Sequence, residues 1–381
     1  MPLMDAHIDD VTTLATGQVP LPLDFRSTPY NLLPLIPPKV ELETKRTLKK
    51  AIAANKALAE LRTAGDLIPN QGILIRAIIL QEAKMSSEIE NIVTTNDELY
   101  RAFSEDPEKA TPETKEVLRY EEALWHGYNE LLAGSPLSVS VFVEIVSIIK
   151  EQDMNIRRTP GTRIVNRKIN APIYAPPEGE SLIREKLENL IAYIYAEDDV
   201  DPLIKMAVMH YQFEAIHPFP DGNGRTGRVL NILYLVCCQL LGIPVLYLSR
   251  YIIQNKSVYY EGLRRVTEEQ AWEDWVVYLL EGIEQTAIYT KSKIISIREA
   301  LVKATDYARV TMRKGYSKEL IELIFQQPCT RIATLEKAGI AKRDAASLYL
   351  RELERIGMLA RVKIGREMLF INKQLLDLLS T

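Results

Sequence analysis

His217-Pro218-Phe219-Pro220-Asp221-Gly222-Asn223-Gly224-Arg225-Thr226-Gly227-Arg228 is the stretch that decides how the chain is read. Its middle, Gly222-Asn223-Gly224, consists of residues that tolerate positive φ. In such a run successive backbone N–H groups can converge on one point and form an anion nest. A helical pattern begins directly afterwards, so the positive end of a helix dipole faces the same point. Arg225 and Arg228 are three residues apart and share a face of that helix. Each offers a rigid fork suited to phosphate oxygens. Two arginines beside an N–H nest imply a polyphosphate. Asp221 would repel such a ligand unless it held Mg²⁺, which takes one or two carboxylates together with phosphate oxygens. His217 is the candidate base, because a neutral imidazole can accept a proton from an attacking hydroxyl at pH 7. Phe219 reads as an anchor that pins the turn to the core. Walker A, Rossmann glycine and HExxH patterns are all absent.

Outward from this turn the pattern is helical. Helices are predicted over 41–64, 72–90, 138–152, 181–196, 202–216, 224–241, 255–283 and 285–310. Thr111-Pro112-Glu113 reads as an N-cap and first-turn proline for a helix running to about 133. Residues 157–178, with four prolines and several β-branched positions, break the pattern and predict a short hairpin. The proline-rich first 40 residues read as an extended arm or a strap. The fold class is therefore mainly α with one β excursion.

Composition excludes other classes. Basic residues number 47 and acidic ones 51, which excludes a globally basic nucleic-acid coat. Cys237, Cys238 and Cys329 form no CxxC spacing, so structural zinc is not expected and a reduced, cytoplasmic protein is. The N-terminal residues carry no apolar signal region. The longest apolar run, near Leu230 to Leu241, is too short and too polar to span a bilayer, so no membrane partner is expected.

The twelve-residue stretch resembles the signature HPFx[DE]GNGRxxR of Fic-domain proteins at every fixed position. That resemblance implies a helical Fic domain that transfers AMP from ATP to a Ser, Thr or Tyr hydroxyl of a target protein. By the resemblance, His217 is the base on the hydroxyl and Asp221 holds the Mg²⁺ that bridges two phosphates. Gly222, Asn223, Gly224, Thr226 and Gly227 belong to the nucleotide cradle, with Arg225 at the β-phosphate and Arg228 at the γ-phosphate. Ser86-Ser87-Glu88-Ile89-Glu90-Asn91 resembles the family's inhibitory motif [ST]xxxE[GN]. Ser86, Glu90 and Asn91 then form an N-terminal inhibitory element in which Glu90 pairs with Arg228 and removes it from the γ-phosphate. Arg163, Ile164 and Val165 resemble the flap that aligns a target segment by main-chain pairing. Tyr259 and Tyr260 resemble residues that close the nucleotide pocket. His210 reads as a buried, hydrogen-bonded histidine. The resemblance also admits the reverse reaction, removal of AMP with Glu90 orienting a water. A nucleotide-sensing DNA-binding regulator is the non-enzymatic alternative.

The last third differs in charge: residues 313–381 hold 13 basic against 8 acidic residues. Helical segments at 317–326, 331–338 and 341–357, followed by two β-like runs in 358–371, resemble a winged helix-turn-helix. Lys342, Arg343 and Arg351 are candidate phosphate contacts there, and Arg361, Lys363 and Arg366 would lie in the wing. The expected organisation is an N-terminal extension with the inhibitory helix over 1–110, a Fic domain over 111–310 and the winged module over 313–381. Such modules often pair, so a homodimer is one expectation, and DNA is a candidate partner.

Overall fold

The computed structural model describes residues 24–66, 71–104, 110–166, 171–364 and 367–380. The centre of the molecule is α7 (Pro202–Ile216), which is buried on nearly every side. Its sequence carries apolar side chains all round, as a fully enclosed helix requires. Packed against it are α6 (Glu180–Ile194) and α8 (Asn223–Cys237). Pro202 at N1 and the Asp201 side chain, which accepts from Leu203 N–H at 2.8 Å, start α7.

A second shell holds α1 (Lys45–Asp66), α2 (Gln71–Ile89), α3 (Asn96–Ser104), α4 (Pro112–Leu132) and α5 (Val139–Lys150). Helix α4 starts as its sequence predicts, with the Thr111 side chain accepting from Thr114 N–H and Pro112 at N1. Helix α4 packs on α5 and on α8, which places two charged side chains of this shell under the Gly222 turn. The hairpin β1 (Ile164–Asn166) and β2 (Ala171–Tyr174) is antiparallel, with a register shift between Ile164 and Val165. Residues 24–42 run as a strap: Tyr30 N–H donates to Ala175 O, and Gln212 Nε2 donates to Pro34 O.

Three helical boundaries differ from expectation. Helix α8 ends at Cys237, with Gln239 taking a left-handed conformation (φ +57°), and a further short helix α9 (Leu248–Gln254) follows. The segment expected as 255–283 and 285–310 divides earlier, into α10 (Lys256–Glu269) and the 40-residue α11 (Trp272–Thr311). The break is made by Gln270 at φ +56°, a left-handed position normally given to glycine or asparagine. Gly282, by contrast, sits inside α11, where a Cβ would stand 2.7 Å from the Tyr251 ring. It lets α9 approach instead of ending the helix.

Beyond α11 come α12 (Lys318–Gln326), β3 (Cys329–Thr330), α13 (Ile332–Lys337), α14 (Arg343–Arg355), β4 (Ala360–Ile364), β5 (Glu367–Ile371) and α15 (Lys373–Ser380). The strands form an antiparallel sheet in the order β3-β5-β4. Strand β3 and helix α15 have no counterpart in the sequence reading, being too short to carry a period of their own. Arg366 lies outside the described residues. Helix α12 packs on α2 and α11, and Lys293 Nζ of α11 donates to Leu378 O at 2.6 Å.

Candidate active site

The site forms where the C-terminus of α7 meets the N-terminus of α8. His217 caps α7 in the left-handed region (φ +48°), its N–H donating to Phe213 O. That geometry costs a non-glycine residue about 1 kcal/mol or more and needs support. Arg157 supplies it. Its guanidinium is 4% exposed and donates from Nε to His217 O at 2.7 Å, and from Nη2 to Ile216 O and Pro177 O. Its backbone N–H donates to Pro218 O. Burial, and then the Arg157 charge, push the His217 imidazole down to about 4. The ring is neutral at pH 7, as a proton acceptor must be.

The turn is held by its own residues. Asn223 is 2% exposed. Its Oδ1 accepts from Phe219 N–H at 2.8 Å and its Nδ2 donates to Phe219 O at 2.7 Å. This side chain is therefore a clamp on the turn. Phe219 is fully buried against Phe213. Gly222 is the N-cap of α8 at φ +82°. Arg225 and Arg228 are each 1% exposed, both on the inner side of α8. Thr226 is buried with its Oγ1 unpartnered among the described residues.

Arg228 is engaged by the C-terminal turn of α2 and the residue that follows it. Its Nε donates to Ser86 Oγ at 2.8 Å, and its Nη2 donates to Ser86 O at 2.8 Å and to Glu90 Oε1 at 3.1 Å. Glu90 Oε1 lies over Gly224, where a Cβ would collide with it. Asn91 is exposed and takes φ +64° just beyond the helix end. Of the three residues singled out in 86–91, Ser86 and Glu90 meet Arg228, with Ser86 making two of the three bonds.

Arg225 and Asp221 are tied together by residues that sequence reasoning missed. Arg225 Nη1 is 2.5 Å from Glu116 Oε1. Lys150 Nζ is 2.9 Å from the same oxygen and 2.6 Å from Asp221 Oδ2. Burial raises the Asp221 carboxyl, but Lys150, the Gly222 N–H and the Arg225 charge together outweigh it and hold the group below its usual range. Asp221 is a single carboxylate, 62% exposed, beside the first turn of α8; a hard cation that shares its remaining ligands with phosphates would fit such a donor. No group of three or more His, Cys, Asp or Glu among the described residues is placed to hold a metal alone. Glu214, one turn before His217, was also missed. Its Oε1 is buried without a partner among the described residues, and burial pushes its carboxyl up to about 7. The spacing of three residues before His217 was the only available signal.

The two expected tyrosines differ in burial, and Arg163 ties the flap to the strap. Tyr259 is 1% exposed, shares a hydrogen bond with His210 Nε2 at 2.9 Å and packs on Trp275 and Tyr278. It is a core residue and offers no face to a base; Tyr260, 40% exposed, is the one at the surface. Arg163 Nη2 donates to Ser27 O at 2.7 Å and Nη1 to Thr162 O, so it fastens the flap to the strap. Ile164 is half-buried and Val165 is 39% exposed. The hairpin is pinned near the site by Tyr174, whose hydroxyl donates to Ala215 O at 2.9 Å.

Three family models match in succession: Fic/DOC family N-terminal over 48–129, Fic/DOC family over 137–235, and protein adenylyltransferase SoFic-like, C-terminal domain, over 301–375. The chain belongs to the Fic/DOC family. Among solved structures, a Fic family protein from Desulfovibrio desulfuricans superposes with a TM-score of 0.54 at 17% identity, over 88% of this chain and 98% of that one. Residues 134–508 of Fic-1 from Caenorhabditis elegans give 0.50 at 20% identity, over 66% and 74%. These likenesses establish the fold. A probable protein adenylyltransferase of Aquifex aeolicus is 32% identical over 95 residues, 25% of this chain and 27% of that one. Protein adenylyltransferase fic-1 of C. elegans is 26% identical over 159 residues, 41% and 30%. The chain thus spans less than a third of the length of these two curated relatives. Among the described residues no helix is long and apolar enough to cross a membrane.

Proposed function

We propose that this Fic protein transfers AMP from ATP to a hydroxyl side chain of a target protein and of itself, and that Glu90 holds the reaction back. The observation that carries the reading is an imidazole kept neutral by burial, on a backbone fixed by Arg157, at the lip of a helix N-terminus that buries two arginines. The curated relatives named protein adenylyltransferase support the same reading.

In this reading the target hydroxyl attacks the α-phosphorus and pyrophosphate leaves. His217 takes the hydroxyl proton; its Nδ1 is buried, which leaves Nε2 for the task. Little covalent participation is asked of the protein, so placement and charge stabilisation do most of the catalysis. The N–H groups opening α8 and the two arginines meet the phosphates. Asp221 is the residue that would hold Mg²⁺, whose chemistry there is to neutralise phosphate charge. The Val165 edge of the hairpin is the surface for pairing a target segment. Glu90 and Ser86 together keep Arg228 from the γ-phosphate.

Incubation with α-labelled ATP and Mg²⁺ tests this. Glu90→Gly should label itself, and adding His217→Ala should abolish the label. A carboxylate over Gly224 could instead orient a water for AMP removal. An unlabelled Glu90→Gly, with wild type stripping AMP from a modified target, would establish that reaction in place of transfer.

A second proposal concerns 313–381. Lys342, Arg343 and Arg351 are exposed on and beside α14, whereas Arg361 is paired with Glu354 at 3.2 Å. DNA binding through this face should give a gel shift that falls steeply with salt and weakens in Arg343→Ala and Arg351→Ala.

A further inference from the structure

Lys150 is the last residue of α5, yet its ammonium lies inside the turn. The side chain is 19% exposed and its Nζ sits between Asp221 Oδ2 at 2.6 Å and Glu116 Oε1 at 2.9 Å. The stem reaches this place by running beneath Gly222. A Cβ there would stand 3.0 Å from Val146 Cγ2 and 3.5 Å from Lys150 Cγ. The missing side chain at Gly222 therefore serves the lysine as well as the positive φ. Arg225, Glu116, Lys150 and Asp221 alternate in charge along one chain of contacts that joins both ends of the turn.

We propose that Lys150 is a resident counter-cation of Asp221, one that a divalent cation must displace, with Glu116 retaining the displaced ammonium. The inference rests on Asp221 being the metal seat of the transfer reading. A carboxylate beside an anion site is unfavourable without a positive partner, and the tethered ammonium supplies one before any ligand arrives. A divalent ion competes more strongly once nucleotide phosphates add further oxygen ligands. Metal is therefore held weakly by the empty cup, and its binding is coupled to that of the nucleotide. Lys150 acts through Asp221 and is a positioning residue. Asp221 is 62% exposed, so the competition is screened, and its removal shifts an equilibrium by up to about fivefold.

The test is Mn²⁺ binding to the full chain without nucleotide, read from the electron paramagnetic resonance signal of free Mn²⁺. Lys150→Met should bind about three- to fivefold more tightly than wild type, and Lys150→Arg should match wild type. Removing Lys150 also leaves Glu116 and Asp221 facing each other, a two-carboxylate arrangement that attracts a cation in its own right. The double variant Lys150→Met/Glu116→Gln separates the cases: gain retained supports displacement, and gain lost overturns it. Asp221→Asn on the Lys150→Met background should remove the gain. Should Lys150→Met not fold, Lys150→Gln, neutral but still able to donate to Glu116, is read by the same criterion. Equal affinities beside intact labelling by Glu90→Gly sink this inference alone. Absence of Mn²⁺ binding in every variant, with or without ATP, sinks the transfer reading as well.

Discussion

Replacing Glu90 by glycine should accelerate self-labelling by about tenfold. Arg228 is held by three bonds, and only one of them, at 3.1 Å, goes to Glu90. A hydrogen bond to a charged group contributes about 1.5–3 kcal/mol. The Glu90 side chain is 35% exposed, so the lower end applies, and about 1.4 kcal/mol is a factor of ten. Truncating a deeply buried ion pair would cost about 3–5 kcal/mol, but that figure suits a pair without solvent. The two Ser86 bonds, both 2.8 Å, survive the substitution and still compete for Arg228. Adding Ser86→Ala removes the partner of Nε and should raise the rate again. The assay is the initial rate of label incorporation from α-labelled ATP at saturating Mg²⁺. Glu90→Ala should behave as Glu90→Gly, which separates the lost carboxylate from added backbone freedom. A Glu90→Gly variant that binds ATP yet labels at the wild-type rate refutes the reasoning.

Three more outcomes follow from the buried polar groups. Arg157→Ala strips three backbone carbonyls of their donor and should cost at least about 3 kcal/mol, seen as a lower Tm, and should abolish labelling in the Glu90→Gly background. With His217 lowered to about 4, labelling by Glu90→Gly should hold level from pH 8 to about pH 5 and fall only below that; a half-point near 6.5 would mean an ordinary, solvated imidazole. Glu82 is buried on α2, accepts from Ser249 N–H at 3.0 Å, and is pushed up to about 7 by burial. The folded state then holds its proton at higher pH than the unfolded chain, so this group's contribution is full below about 4.5 and is lost as pH rises through about 7. Glu82→Gln should therefore lose less Tm than wild type between pH 6 and pH 8.

The turn from His217 to Arg228 was legible because its chemistry is local: glycines, arginines and a helix start within twelve residues. Ser86 and Glu90 were legible only through the resemblance to the inhibitory motif, since a serine and a glutamate one helical turn apart are otherwise an ordinary helix end. Glu116, Lys150 and Arg157 were not. Each is a lone charge with no local pattern, and its role arises only when α4, α5 and the loop after it fold against the turn. Tyr259 and Tyr260 could not be told apart in sequence, because their difference is one of burial, and burial is a tertiary property. The mainly helical fold followed from apolar spacing. The break at Gln270 did not, since a glutamine there carries no signal for a left-handed backbone.

Gly224 has a consequence for heredity. A Cβ at this position would strike Glu90 Oε1 and stand 2.9 Å from Arg228 Nη1. The cup and the latch that closes it are therefore cut to one shape. A descendant that gains any side chain at 224 loses the seat of Glu90 in the same stroke. The latch cannot be lent to a neighbouring scaffold unless the bare glycine travels with it.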